Sequence, residues 1–314
     1  MKTKIDIEQS INALVIEGLK TSGMGWFKPW RNAQGDLDNP VNWENGREYR
    51  GVNEWILNFE MMSKGYEYNQ WLTAKMGYAK GGSNKGQKGT PIIYWQIGFK
   101  VMNKGRAKYF RDQIPALKYA KSVGSKVEKS FTLREYTVFN IAQFEGLDPK
   151  VSDVPVPEVE EFTPIERAEK IIKEWHNAPP IQHKSNRAYY SPSLDIINMP
   201  QPENFVDGDS YYKTLFHEAV HATGHTSRLN RFEGDAKHSS FGSQEYSREE
   251  LTAEIGSMYL TGLTDIHPKD NDSNSIAYIK GWVKHLTDHP AECMSAMGRA
   301  SKAVSLITNQ ITTQ

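Results

Sequence analysis

The 314-residue chain balances 38 basic against 38 acidic side chains, with 38% hydrophobic and 11% aromatic residues. That composition can build packed cores and excludes a globally disordered chain, and no apolar run approaches the ~18–20 residues of a membrane span. Cys293 is the single cysteine, so an internal disulfide is excluded and a cytoplasmic protein with no membrane partner is expected.

The length suits two domains of ~100–200 residues. At the N-terminus, MKTKIDIEQSINALVIEGLK sets acids among apolar residues and reads as an amphipathic helix over 7–20, not a signal peptide. Val52 to Met62 reads as a second apolar helix. Gly81 to Gly89 is a mobile glycine–lysine loop. Pro91–Trp95 and Tyr136–Phe139 are rich in β-branched and aromatic residues, hence strands. Residues 1–150 hold 23 Lys and Arg against 15 Asp and Glu, the remainder 15 against 23. Between Lys75 and Lys129, 13 basic residues face only Asp112 and Glu128. Such a split points to different partners for the two halves.

Asp148 to Glu161 holds three prolines and five acids and no helical period, which describes an extended, solvated linker. The expected organisation is a domain over 1–150, a linker over 151–162 and a domain over 163–314. A helix starts where the linker ends: Thr163 caps, Pro164 sits at the first position and Glu166 closes a capping box. Ile165, Ala168, Ile172 and Trp175 follow as one buried stripe. Ala188 to Met199 suggests a hairpin turning at Ser191–Ser193. Helices follow near 211–223, 248–262 and 274–287, with another towards the C-terminus. The fold class is α+β in two domains, the second a small sheet leading into a helical bundle.

The most informative run is His217-Glu218-Ala219-Val220-His221. Residues four apart share a helix face, so both imidazoles can grip one ion, and Glu218 can act as general base on water at its open side. Asp209 or Ser210 can cap this helix, and Gly224 can supply a left-handed turn at its end. A catalytic zinc takes a third protein ligand. His225 follows the expected helix end, and His238 lies in a polar loop. Glu250 and Glu254 share a face, so one can ligate while the other accepts the outer N–H of a ligand histidine. Ser247 to Glu250 also reads as a capping box, in which Glu250 would only cap its own helix.

HEAVHATGHTSRLNR followed by EYSREELTAEIGSMYL resembles the zincin-like metallopeptidase domain of ArdC-type antirestriction proteins, and Ala188-Tyr189-Tyr190, Asp195 and Pro200 fit the same likeness. Tyr49–Asn53, Trp71–Thr73, Gly86–Thr90 and Val138–Gln143 are similar to that family's N-terminal single-stranded-DNA-binding domain. Primases of the TraC type carry a related N-terminal domain, but no primase motif is present here. The resemblance to glutamate-type zincins, with their Glu-x-x-Ala pattern, favours Glu250 as metal ligand and Glu254 as the residue behind it. The donor set suits zinc, with manganese or cobalt as substitutes, and the likeness to the antirestriction family implies a role in conjugative plasmids or phages: protecting entering DNA from host restriction. The protein target would be the host restriction enzyme or another DNA-bound protein. Oligomeric state is not legible.

For the DNA half, a single-strand binder needs cations for phosphates and rings for bases. Lys75, Lys85, Lys88 and Arg50 are the candidate phosphate contacts, and Tyr94 and Trp95 the candidate rings. Tyr78, Phe99, Tyr109, Phe110 and Tyr119 interleave with the lysines. Tyr94 and Trp95 fall on opposite strand faces, so one at most is expected as a platform and the other as core. Arg50 and Asn53 have a second reading as holders of a local turn. The functional alternatives are a zinc metallopeptidase on a DNA-targeting module, with Tyr246 or His225 as oxyanion donors, and a binding protein that coats DNA or blocks the restriction enzyme around a structural metal. A metal-dependent nuclease is a third.

Overall fold

The computed structural model describes residues 3–22, 39–150, 163–232, 244–267 and 272–309; the predicted linker over 151–162 lies outside them. Helix α1 (Lys4–Ser22) buries Ile7, Ile11, Val15 and Leu19 along one stripe, the spacing an amphipathic helix requires. Helix α2 (Val52–Lys64) ends at Gly65, whose left-handed conformation lets its N–H reach the Met61 carbonyl.

The first half is built on a five-stranded sheet. Its strands are β1 (Val41–Asn42), β2 (Gln70–Leu72), β3 (Thr90–Asn103), β4 (Arg106–Phe110) and β5 (Val127–Asn140), in the order β1-β2-β5-β3-β4. Helix α3 (Ala74–Ala79) follows β2, and α4 (Gln113–Val123) joins β4 to β5. The strands expected at Pro91–Trp95 and Tyr136–Phe139 are the inner ends of an antiparallel ribbon paired from Thr90↔Val138 to Val101↔Val127. The glycine–lysine segment is anchored: Ser83 bridges Glu145, and the Tyr78 hydroxyl donates to Asn84.

In the second half, α5 (Pro164–Glu174) begins with the predicted capping box between Thr163 and Glu166. Ala168 and Trp175 are buried, whereas Ile165 is exposed, so the stripe is narrower than expected. Strands β6 (Ile181–Gln182), β7 (Tyr189–Ser191) and β8 (Ile196–Asn198) form a small sheet in the order β6-β8-β7. The predicted hairpin is β7–β8, and β7 is an edge. Four helices follow among the described residues: α6 (Gly208–Ala222), α7 (Gln244–Thr264), α8 (Asp272–Asp288) and α9 (Pro290–Ile307).

The two halves share one core, in which α1 and α2 side chains join those of α6, α7 and α9. Asn12 of α1 donates to the Leu286 carbonyl of α8 at 2.8 Å. Trp55 of α2 meets Tyr259 of α7 edge to face, ring centres 6.2 Å apart. No helix among the described residues is long and apolar enough to cross a membrane.

Candidate metal centre

Helix α6 carries both histidines. Its cap is Asp207, which accepts from the Ser210 N–H at 2.8 Å; the predicted caps Asp209 and Ser210 lie inside the first turn. Asp209 instead accepts from the His267 N–H at 2.8 Å. Gly224 is not left-handed. A Cβ there would come within 2.6 Å of the Phe232 ring, so the position needs glycine for close approach. Helix α7 crosses α6 at a similar point: a Cβ on Gly256 would lie 2.7 Å from Val220, and Ala253 is fully buried. These small residues bring the acids of α7 to the histidines of α6.

The Nε2 atoms of His217 and His221 are 3.1 Å apart. The Glu250 carboxylate faces both, 3.6 Å from His217 Nε2 and 3.5 Å from His221 Nε2. One donor atom from each of the three lies within 4.8 Å of the others. Two ligands about 2.0–2.1 Å from a tetrahedral ion sit about 3.3 Å apart, so the nitrogen pair matches a shared divalent cation. Nitrogen and carboxylate donors suit zinc, and manganese and cobalt as well.

The outer nitrogens are also engaged. Glu254 lies 3.3 Å from His217 Nδ1, and Glu249 lies 3.3 Å from His221 Nδ1. Each carboxylate can hold an Nδ1 proton and so leave the Nε2 lone pair free to ligate. Arg231 donates to both Glu249 oxygens, at 2.6 and 3.1 Å, and further to the Val220 carbonyl and the Thr223 hydroxyl. Burial works to raise the Glu249 carboxyl, but the hydrogen bond from His221 and the adjacent Arg231 guanidinium override it and hold the group at about 2. Burial likewise opposes ionisation of Glu250, and the two histidines outweigh it and lower the group. For His217, burial disfavours the cation, yet the carboxylates of Glu250 and Glu254 push the imidazole up to about 10. The pocket therefore demands positive charge, from protons or from a metal ion. Glu218 is buried beside these groups.

Sequence reasoning counts Glu249 among the donor acids but gives it no role, and it misses Arg231. Glu249 sits one residue from a favoured ligand, which on a helix turns it away by about 100°. Ser247 lies inside α7, so the capping box read over 247–250 does not form. His225 bonds Ser227 at 2.8 Å and stands outside the three-residue cluster. His238 and the Tyr246 side chain lie outside the described residues. Arg228, Asp195 and Tyr190 form a second network. The Tyr190 hydroxyl donates to Asp195 at 2.8 Å, Arg228 pairs with the same carboxylate, and Arg228 Nε donates to the Ala222 carbonyl at 2.8 Å. This network clamps the β7–β8 hairpin to the end of α6.

The candidate DNA residues do not share one surface. Arg50 and Tyr94 line a groove of about 850 Å³ with Arg47, Tyr49 and Tyr136. Lys88 lines another cavity, beside α1 and α2. Lys75 and Lys85 are exposed elsewhere. Asn53 holds β3, donating to the Ile93 carbonyl at 2.8 Å and accepting from its N–H at 2.9 Å. Tyr94 and Trp95 do point to opposite faces, but neither is core: they are 44% and 52% exposed. The ribbon projects from the body, so both faces meet solvent there. Phe99 and Phe110 instead pack against α4, which carries Tyr119.

Residues 5–139 match the family model described as the N-terminal domain of anti-restriction factor ArdC. Residues 166–299 match a zincin-like metallopeptidase model. Two Escherichia coli proteins named DNA primase TraC are 33% and 32% identical over 96% of this chain, which spans only 20% and 27% of their lengths. An uncharacterized Sinorhizobium fredii protein, y4eC, is 29% identical, with 96% of this chain and 91% of that one covered. The metal-free crystal structure of the antirestriction ArdC protein from plasmid R388 superposes with a TM-score of 0.63 at 28% identity, covering 97% of both chains. Its Mn(II)-bound form gives 0.62 at the same identity, covering 98% of this chain and 100% of that one.

Proposed function

Because the chain belongs to the ArdC antirestriction family, joining that family's N-terminal domain to a zincin-like metallopeptidase domain, we propose that it protects DNA entering on a mobile element from host restriction. In this reading the first half binds single-stranded DNA, and the second hydrolyses peptide bonds in proteins found on that DNA. The convergence of His217, His221 and Glu250 carries the enzymatic part.

His217, His221 and Glu250 would hold a divalent cation, zinc first and manganese or cobalt as alternatives, which would supply Lewis acidity for a carbonyl and for a water. Glu218 takes the proton from the attacking water and returns it to the leaving amine. Glu254 and Glu249 fix the tautomers of the two histidines, and Arg231 keeps Glu249 ionised. An extended peptide pairs with the free edge of β7 by strand addition, beside Tyr189. The Arg228–Asp195 clamp sets the position of that edge against α6.

Glu218→Gln tests this reading. The variant is expected to keep its metal and its DNA affinity while losing peptide cleavage and the protection of incoming DNA. Loss of cleavage with protection retained would instead assign protection to DNA coating or to blocking the restriction enzyme. Cleavage retained would refute the assigned base.

A further inference from the structure

The β3–β5 ribbon exposes an apolar surface that the metal centre does not use. Residues paired across an antiparallel ladder share a face. Trp95 pairs with Leu133, Ile97 with Phe131 and Phe99 with Lys129, so all six lie on one side of the ribbon. At the inner end Leu133 is buried in the body, and at the outer end α4 covers Phe99 and Val101. Between these covers, Trp95, Ile97 and Phe131 are 52%, 52% and 59% exposed. Three contiguous large apolar side chains left open to water mark a binding surface more often than chance scatter does.

A trough of about 570 Å³ continues this surface towards α4, lined by Phe99, Leu117, Lys121, Lys126 and Lys129 among others, with no acid among its lining residues. The occupant must therefore be anionic and must also offer flat apolar faces. A duplex carries the charge but keeps its base faces stacked inside. A single strand offers both. The opposite face of the ribbon is less available, because Tyr94 already meets Tyr136 edge-on at 5.4 Å and Arg50 pairs with Glu48 at 3.3 Å.

We infer that single-stranded nucleic acid crosses the ribbon on the Trp95 face, its bases stacked on Trp95 and Phe131 and its phosphates led past Lys121, Lys126 and Lys129. This rests on the single-strand-binding reading above and gives it a location that the candidate lysines Lys75, Lys85 and Lys88 do not share.

The test measures fluorescence anisotropy of a labelled oligothymidylate with the full-length chain across a salt series. Trp95→Ala and Phe131→Ala should each weaken binding about 5- to 150-fold and leave the salt slope unchanged, and Trp95→Phe should recover most of the loss. Replacing Lys121, Lys126 and Lys129 together by glutamine should flatten the log–log slope by about 2. These side chains are exposed, and circular dichroism of each variant checks the fold. Wild-type binding that survives in Trp95→Ala and Phe131→Ala would overturn the inference alone, as would a loss confined to Tyr94→Ala on the opposite face. A wild type that fails to bind the oligonucleotide would overturn the single-strand reading itself.

Discussion

Replacing Glu54 by glutamine should change how stability depends on pH. Glu54 sits on α2 at the contact between the two halves, where it accepts a hydrogen bond from the Tyr259 hydroxyl of α7. Burial pushes its carboxyl up from 4.5 to about 7, aided by Glu48 and opposed by the Tyr259 hydrogen bond and by Arg50. The folded chain thus holds a proton that the unfolded chain releases between those two values. Full stability is present below pH 4.5 and is lost as pH rises through about 7. A rise of that size corresponds to about 3 kcal/mol once the group is forced to ionise. Glutamine keeps an acceptor for Tyr259 and carries no charge. Urea denaturation should therefore find the variant close to wild type at pH 5 and more stable by up to about 3 kcal/mol at pH 8. Every other titrating group is common to both proteins and cancels in the difference. An equal offset at both pH values would show that Glu54 is not held in a proton-demanding site.

Three further outcomes follow from the metal centre and the helix crossing beneath it. Glu249→Ala removes the partner of His221 Nδ1 and should weaken divalent metal binding by about 10- to 100-fold, read by competition with a chromophoric chelator. Unchanged affinity would dismiss its tautomer-fixing role. Because the acids lift His217 to about 10, metal must displace a proton at neutral pH, so affinity should rise about tenfold per pH unit between 6 and 9; a flat profile would mean the imidazole is already neutral. Gly256→Ala drives a methyl into Val220 and should cost about 1–3 kcal/mol, with weaker metal binding as α7 moves off α6. A neutral thermal melt would show that the crossing tolerates a side chain.

Much of the second half was legible because its signals are local. The capping box at Thr163, the turn between β7 and β8, and the i, i+4 histidines each depend on residues a few positions apart. What escaped depends on long-range pairing. Arg231 meets Glu249 across 18 residues with no periodic pattern to announce it. The outer half of β5 loses its apolar alternation at Lys129, and that of β3 sets Gly98 and Lys100 between its alternating Ile97, Phe99 and Val101, so only the inner ends read as strands. Helix α1 reads correctly as amphipathic, but nothing in its residues says that its partners are α8 and α9, more than 250 positions downstream. The expectation that Tyr94 or Trp95 must be core assumed a sheet covered on one face, and a projecting ribbon breaks that assumption.

The convergence of His217, His221 and Glu250 on one ion is tested most directly by elemental analysis of the purified chain after zinc loading and gel filtration, wild type beside His217→Ala. About one equivalent of divalent metal should remain on the wild type and essentially none on the variant. A wild type that holds no metal, or a variant that holds as much, would contradict the account.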